Sequence, residues 1–129
     1  MCKILFIKFS NMSLSPKVEE ESGGKIMIVT GYLRDKMLYI NLSGEMDECS
    51  APAARAKCDK LIEDNADVKK IIVNLSSVAF MDSTGIGFLI GRYKKAARLS
   101  IPLYIAQPNF AADKILNLSG IYSLIPKAE

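Results

Sequence analysis

Hydrophobic and polar residues follow no period through residues 13–25, "SLSPKVEEESGGK", and then fall into register from Ile26 onward. The polar stretch carries Pro16, three adjacent glutamates and Gly23-Gly24, buries little, and reads as a flexible linker. Downstream, "IVTGYL" (28–33) and "MLYINLS" (37–43) flank the turn residues "RDK". Leu38, Ile40 and Leu42 alternate with Tyr39, Asn41 and Ser43, the period of a half-buried strand, and the pair predicts a hairpin. Ser50 is placed to cap a helix with Pro52 in its first turn, and Ala54, Cys58, Leu61 and Ile62 fall on one face of it. "KKIIVNL" (69–75) suits a buried central strand. After "FMDSTGIG" (80–87) a second helix sets Ile86, Leu89, Ile90, Tyr93 and Ala97 on one stripe, with Arg92, Lys94, Lys95 and Arg98 off it, mostly in the last turns, and Arg92 and Lys94 expected in solvent. "IPLYIA" (101–106) predicts another strand. Asn109 caps a helix carrying Ala112, Ile115 and Leu116, Gly120 ends it, and "IYSLI" (121–125) predicts the last strand. The order β-β-α-β-α-β-α-β defines an α/β fold: a mixed sheet with helices, whose later strands are parallel through right-handed crossovers.

At 129 residues the chain suits one domain, residues 26–129. Residues 1–25 are expected to be a flexible tail or an over-long start, with Met12 and Met27 as alternative first residues. The composition is 50% hydrophobic and 24% charged, an ordinary globular balance. A net charge of +3, without basic runs interleaved with aromatics, argues against a nucleic-acid partner. The apolar run near the N-terminus, Ile4 to Ile7, is too short for an export signal or a membrane span. Cys2, Cys49 and Cys58 form no C-x-x-C pair, which points to free thiols in a reducing compartment. The expected location is the cytoplasm. The sequence contains no histidine, which removes the usual Ser-His-Asp and Cys-His machinery and most zinc sites; no metal site and no cofactor are expected.

The chemistry concentrates in Asp82, Ser83 and Thr84, at a helix mouth followed by Gly85 and Gly87. Asp, Ser and Thr are favoured N-caps, so capping alone is one reading. A catalytic serine is a second, and it needs a general base in reach; the segment also lacks the G-x-S-x-G elbow and the lysine of a P-loop. In the third reading a hydroxyl here accepts a phosphate. The first-turn amides of the helix would favour it, and about −1.5 to −2 charges placed beside Asp82 would rewrite a protein interface.

The segment "NLSSVAFMDSTGIGFLIGRYKKA" (74–96) resembles the signature segment of the bacterial anti-sigma factor antagonists, which belong to the STAS domain family. "LSGEMD" (42–47) and "ILNLSGIYSLI" (115–125) are similar to that family's second-strand end and late helix-strand segment. With "GRYK" (91–94), the likeness is greatest to the sporulation-type antagonists of the anti-sigma F factor. The resemblance spans about residues 27–125. It implies a partner switch without enzymatic activity of its own. The unphosphorylated protein binds an anti-sigma factor that is also a serine kinase, and this frees the sigma factor. The kinase phosphorylates the serine matching Ser83, and a PP2C-type phosphatase restores the cycle. The resemblance further implies a partner-binding surface of Glu45, Asp47, Asp82, Ser83, Thr84, Gly85 and Gly87. Other readings are a regulatory STAS module for stress signalling or for a transporter partner and, from another class, a small serine-dependent hydrolase.

Overall fold

The computed structural model describes residues 21–22 and 25–128, so the expected tail over residues 1–25 lies almost wholly outside the described residues. The elements are β1 (Glu21–Ser22), β2 (Lys25–Arg34), β3 (Met37–Met46), α1 (Ala51–Asp64), β4 (Lys70–Met81), α2 (Ser83–Arg98), β5 (Leu103–Ala106), α3 (Phe110–Ser119) and a 3-10 turn at Ile121–Ser123. The strands form one sheet in the order β1-β2-β3-β4-β5. Pairing is antiparallel from β1 to β3 and parallel for β3–β4 and β4–β5. This is the mixed α/β sheet expected from the chain pattern.

The hairpin between β2 and β3 is tight. Arg34 pairs with Met37, which leaves only Asp35 and Lys36 in the turn. Both have positive φ, 53° and 64°, the hand that matches the twist of the flanking strands. Gly31 of β2 is buried, and a Cβ there would stand 2.9 Å from Leu61 of α1, so the missing side chain seats α1 on the sheet. Leu38, Ile40, Leu42 and Met46 of β3 meet Ile71, Val73 and Leu75 of β4, Leu61 and Ile62 of α1, Phe88 and Leu89 of α2, and Leu116 of α3 in a single core. Each such side chain, fully buried, contributes about 1.5–3 kcal/mol.

The strand β4 continues to Met81, past the expected end at Leu75. Opposite β3 it carries an extra residue twice: Asn74 to Ser77 faces Asn41 to Ser43, and Val78 to Phe80 faces Gly44 to Glu45. Each bulge resets the inward alternation and bends the strand. Buried positions therefore run Ile71, Val73, Leu75 and then Val78, Met81, a spacing that no longer reads as a strand. Gly44, at the second irregularity, has φ 124°, a conformation open to glycine.

Two further expectations are corrected. The buried face of α2 is Gly85, Phe88, Leu89, Arg92 and Ala96, whereas Ile86, Ile90 and Tyr93 only flank it and Ala97 is exposed. Arg92, expected in solvent, is 6% exposed because a carboxylate from α1 meets it inside. The last strand is also displaced. Residues Ile121–Ser123 turn as a 3-10 helix, burying Ile121 and Ile125, and β pairing begins only at Lys127, as a single parallel bridge to Ile105. There Ile105 N–H donates to the Pro126 carbonyl at 3.0 Å and Ala128 N–H to the Ile105 carbonyl at 2.7 Å. The segment is clipped to α3, with the Tyr122 hydroxyl donating to Asp113 Oδ1 at 2.6 Å and Lys127 Nζ 3.0 Å from the same oxygen. The hydrogen bond from Tyr122, and then Lys127, hold the Asp113 carboxyl below its ordinary range.

Candidate functional site

In a sheet with parallel strands the carboxyl ends open toward loops that hold function. Here β3 and β4 end together: Glu45 pairs with Phe80 and Met46 with Met81. Asp47 and Asp82 therefore leave neighbouring strands side by side, and each opens a path into a helix. The register brings Glu45 and Asp47 to the "DSTG" segment, from which they are far apart in sequence.

In the loop before α1, Asp47 Oδ1 accepts from the amides of Cys49 at 2.9 Å and Ser50 at 3.0 Å. The Ser50 hydroxyl donates back to the Glu45 carbonyl at 2.6 Å and accepts from the Asp47 amide at 3.1 Å. Ser50 was expected to cap α1. It occupies the cap position but makes no side-chain bond to the first turn. Its hydroxyl is buried and ties the loop to the end of β3, while Asp47 organises the turn.

The loop before α2 is wired differently. Asp82 is the N-cap, and its Oδ1 accepts from the Thr84 amide at 2.9 Å. The Asp82 carbonyl accepts from the Gly85 amide at 2.9 Å. Two of the first-turn amides expected to receive a phosphate are thus already occupied. Ser83 is the first helical residue. It is exposed, and its hydroxyl is relieved of capping by the aspartate before it. Thr84 is half-buried.

The two glycines of the motif differ. Gly85 is buried, and a Cβ on it would fall 2.3 Å from Met81 Cγ, so Gly85 serves the packing of Met81 and is not at the surface where the family resemblance puts it. Gly87 is exposed, with nothing within 4 Å of a Cβ, and stands one turn along from Ser83. The aromatic border of this end was not foreseen. Phe80 is 48% exposed and Phe110, at the start of α3, 85% exposed. Asn109 holds the start of α3 here: its Oδ1 caps the Ala112 amide at 2.8 Å and its Nδ2 donates to the Val78 carbonyl at 3.0 Å. The cap was legible in the sequence, the tie to the bulged strand was not.

Beneath the site lies a pair that the chain pattern concealed. Arg92 Nε lies 2.7 Å from Asp59 Oδ1, Arg92 Nη1 donates to the Phe88 carbonyl at 3.2 Å, and the guanidinium lies 5.0 Å over the Phe88 ring. Cys58 is buried alongside, and that burial raises its thiol from 9.0 to about 12. Among the described residues no group of three or more Cys, Asp or Glu is placed to hold a metal ion, and no helix is long and apolar enough to cross a membrane.

The sequence profile of the STAS domain matches residues 30–128, and the chain belongs to the STAS domain family. Among its relatives is an anti-sigma F factor antagonist of Paenibacillus polymyxa, 29% identical over 90 residues, covering 70% of this chain and 76% of the relative. An anti-sigma-B factor antagonist of Bacillus subtilis (strain 168) is 30% identical over 88 residues, covering 68% and 78%. The solved anti-sigma factor antagonist SpoIIAA in its unphosphorylated form superposes with a TM-score of 0.65 at 25% identity, over 78% of this chain and 88% of that one. Its phosphorylated form superposes with a TM-score of 0.59 at 25% identity, over 78% and 91%.

Proposed function

We propose that this protein is an anti-sigma factor antagonist, cytoplasmic and without catalytic activity, that works as a phosphorylation-controlled partner switch. One observation carries the reading: Ser83 is exposed at the first position of α2 while Asp82 does the capping, so the hydroxyl is available and its modification need not disturb the helix. The relatives named anti-sigma factor antagonists, and SpoIIAA solved with and without phosphate, support it.

In this cycle the unphosphorylated surface of Glu45, Asp47, Asp82, Ser83, Thr84 and Gly87, with Gly85 buried beneath it, binds an anti-sigma factor that is a serine kinase, and the sigma factor is released. Gly87 lets the partner reach the helix backbone. ATP and Mg²⁺ belong to the kinase. The Ser83 Oγ–P bond forms as the terminal P–O bond of ATP breaks, ADP leaves, and the hydroxyl proton passes to the kinase. The new charge, about −1.5 to −2, stands beside Asp82, Asp47 and Glu45. A complex that accommodates those carboxylates then meets surplus negative charge and separates. A PP2C-type phosphatase hydrolyses the phosphoserine with its own metal.

The test is incubation with ATP, Mg²⁺ and the cognate anti-sigma kinase, followed by mass spectrometry. Phosphate is expected on Ser83 and absent from Ser83→Ala. Phosphate on Thr84 or Ser77 instead overturns the assignment, and turnover of a substrate without a kinase favours a hydrolase.

A further inference from the structure

The helices α1 and α2 follow the two loops of the proposed surface. Each returns from a strand of the parallel set, so both begin at the same end of the sheet, and they pack on each other. Two ion pairs cross their interface. Asp59 meets Arg92, and one turn further along both helices Glu63 meets Lys95. The first pair is the more enclosed: the Arg92 side chain is buried, 7% exposed, and that of Asp59 half-buried, 28% exposed. Asp59 is eight residues into α1 from Ala51 and Arg92 nine into α2 from Ser83, so the pair lies about 12–14 Å below both helix starts at 1.5 Å per residue.

A buried ion pair contributes little to stability beside an apolar pair of the same volume, and its best-attested use is to set register. The sequence around this pair has the pattern of such a lock. Sliding α2 one turn toward the loops would match Asp59 with Lys95 and bring Arg92 to the level of Arg55, two like charges. Sliding it the other way would match Glu63 with Arg92 and leave Asp59 at the level of Phe88. The first slide would still offer Glu63 a cation, Arg98, while setting Arg92 against Arg55, and the second would leave Asp59 without one; the observed height gives both carboxylates a cation with no like charges opposed. Arg92 is also held by its own helix, through the Phe88 carbonyl and ring, so it is not free to follow a displaced Asp59.

We propose that the Asp59–Arg92 and Glu63–Lys95 ladder is a register lock between α1 and α2, and that it fixes the relative height of the Asp47 and Ser83 loops for the partner to read. Arg92 and Asp59 are positioning residues in this role. The inference rests on the partner-switch reading for its functional consequence, and its structural part is measured without a partner.

The test replaces the inner pair by apolar side chains of similar volume, Asp59→Leu with Arg92→Met. Melting temperature is expected to hold or rise. The kinase KM for this protein is expected to increase about tenfold at unchanged kcat. Hydrogen exchange at the amides of residues 47–51 and 83–88 is expected to quicken by about the same factor, reporting a looser loop pair. Unchanged KM and unchanged exchange in the folded double variant overturn the proposal. Should the double variant not fold, Asp59→Asn, which keeps shape and removes the charge, is measured in the same way, with the same outcomes for and against. A wild-type protein that the kinase does not phosphorylate refutes the partner-switch reading, while the exchange measurement still decides the lock.

Discussion

Two loops with nearly the same chemistry open the two large helices, and they use it in opposite ways. "DECS" before α1 and "DS" before α2 each offer an aspartate and a serine to a helix start. In the first, two residues, Glu48 and Cys49, separate the acid from the serine. The carboxylate closes a turn over that gap and the serine hydroxyl folds under it onto the Glu45 carbonyl, fully buried. In the second, acid and serine are adjacent. The carboxylate reaches forward to Thr84, takes the capping role, and leaves the serine outside. Whether a serine at a helix mouth is structural or available is decided by where the preceding aspartate stands, since one cap position is satisfied by one acceptor.

The strongest way to sharpen this contrast is to add charge at the open serine. Ser83→Asp is expected to leave stability unchanged or slightly higher, because a carboxylate in the first turn suits the helix dipole. Affinity for the anti-sigma kinase is expected to fall by about thirtyfold or more, as when a central contact worth about 2 kcal/mol is lost. Calorimetric titration of both proteins measures it, and equal affinity breaks the idea that this loop is the switch.

The glycines come next. Gly85→Ala forces a methyl into Met81 and is expected to cost about 1–3 kcal/mol of stability through overpacking. Gly87→Ala meets nothing and is expected to gain up to about 1 kcal/mol from helix propensity, yet to weaken kinase binding if, as proposed, the partner approaches the helix backbone there. Chemical denaturation and titration of the two variants separate packing from recognition. If Gly87→Ala binds the kinase as tightly as wild type, the exposed row beyond Ser83 is not part of the interface.

The strands and helices were legible where burial followed one period: β2, β3, the α1 face of Ala54, Cys58, Leu61 and Ile62, and α3 between Asn109 and Gly120. They were not legible where a local event reset the period. Two bulges carry β4 on to Met81 through a stretch with no alternation. A buried arginine rotates the apparent apolar face of α2, because its partner Asp59 lies thirty-three positions away in the chain. The final strand was anticipated too early, since Ile121 and Ile125 are buried at helical spacing and only Lys127 reaches β5. At the site, residue types and the helix start were readable from "DSTG" alone. Which hydroxyl is buried, and which glycine is packed, depends on contacts with Glu45 and Met81 that no spacing reveals.

The smallest effect is expected from Ser83→Ala, and it tells most when set beside Ser50→Ala. Ser50→Ala removes a buried hydroxyl that donates to the Glu45 carbonyl and accepts from the Asp47 amide, so two part-buried groups each lose a partner and the cost is expected to be about 1–3 kcal/mol. Ser83→Ala removes an exposed hydroxyl whose capping role Asp82 already fills, so its cost is expected to stay within about 0.5 kcal/mol, as for other surface substitutions. On local composition alone both serines are caps, and both changes should then cost about 1 kcal/mol. Urea denaturation resolves the alternatives. Equal losses at the two positions would return Ser83 to a structural role. A near-silent Ser83→Ala beside a damaging Ser50→Ala shows that the second loop holds its serine outside the fold's own hydrogen bonding, the condition a reversible modification requires.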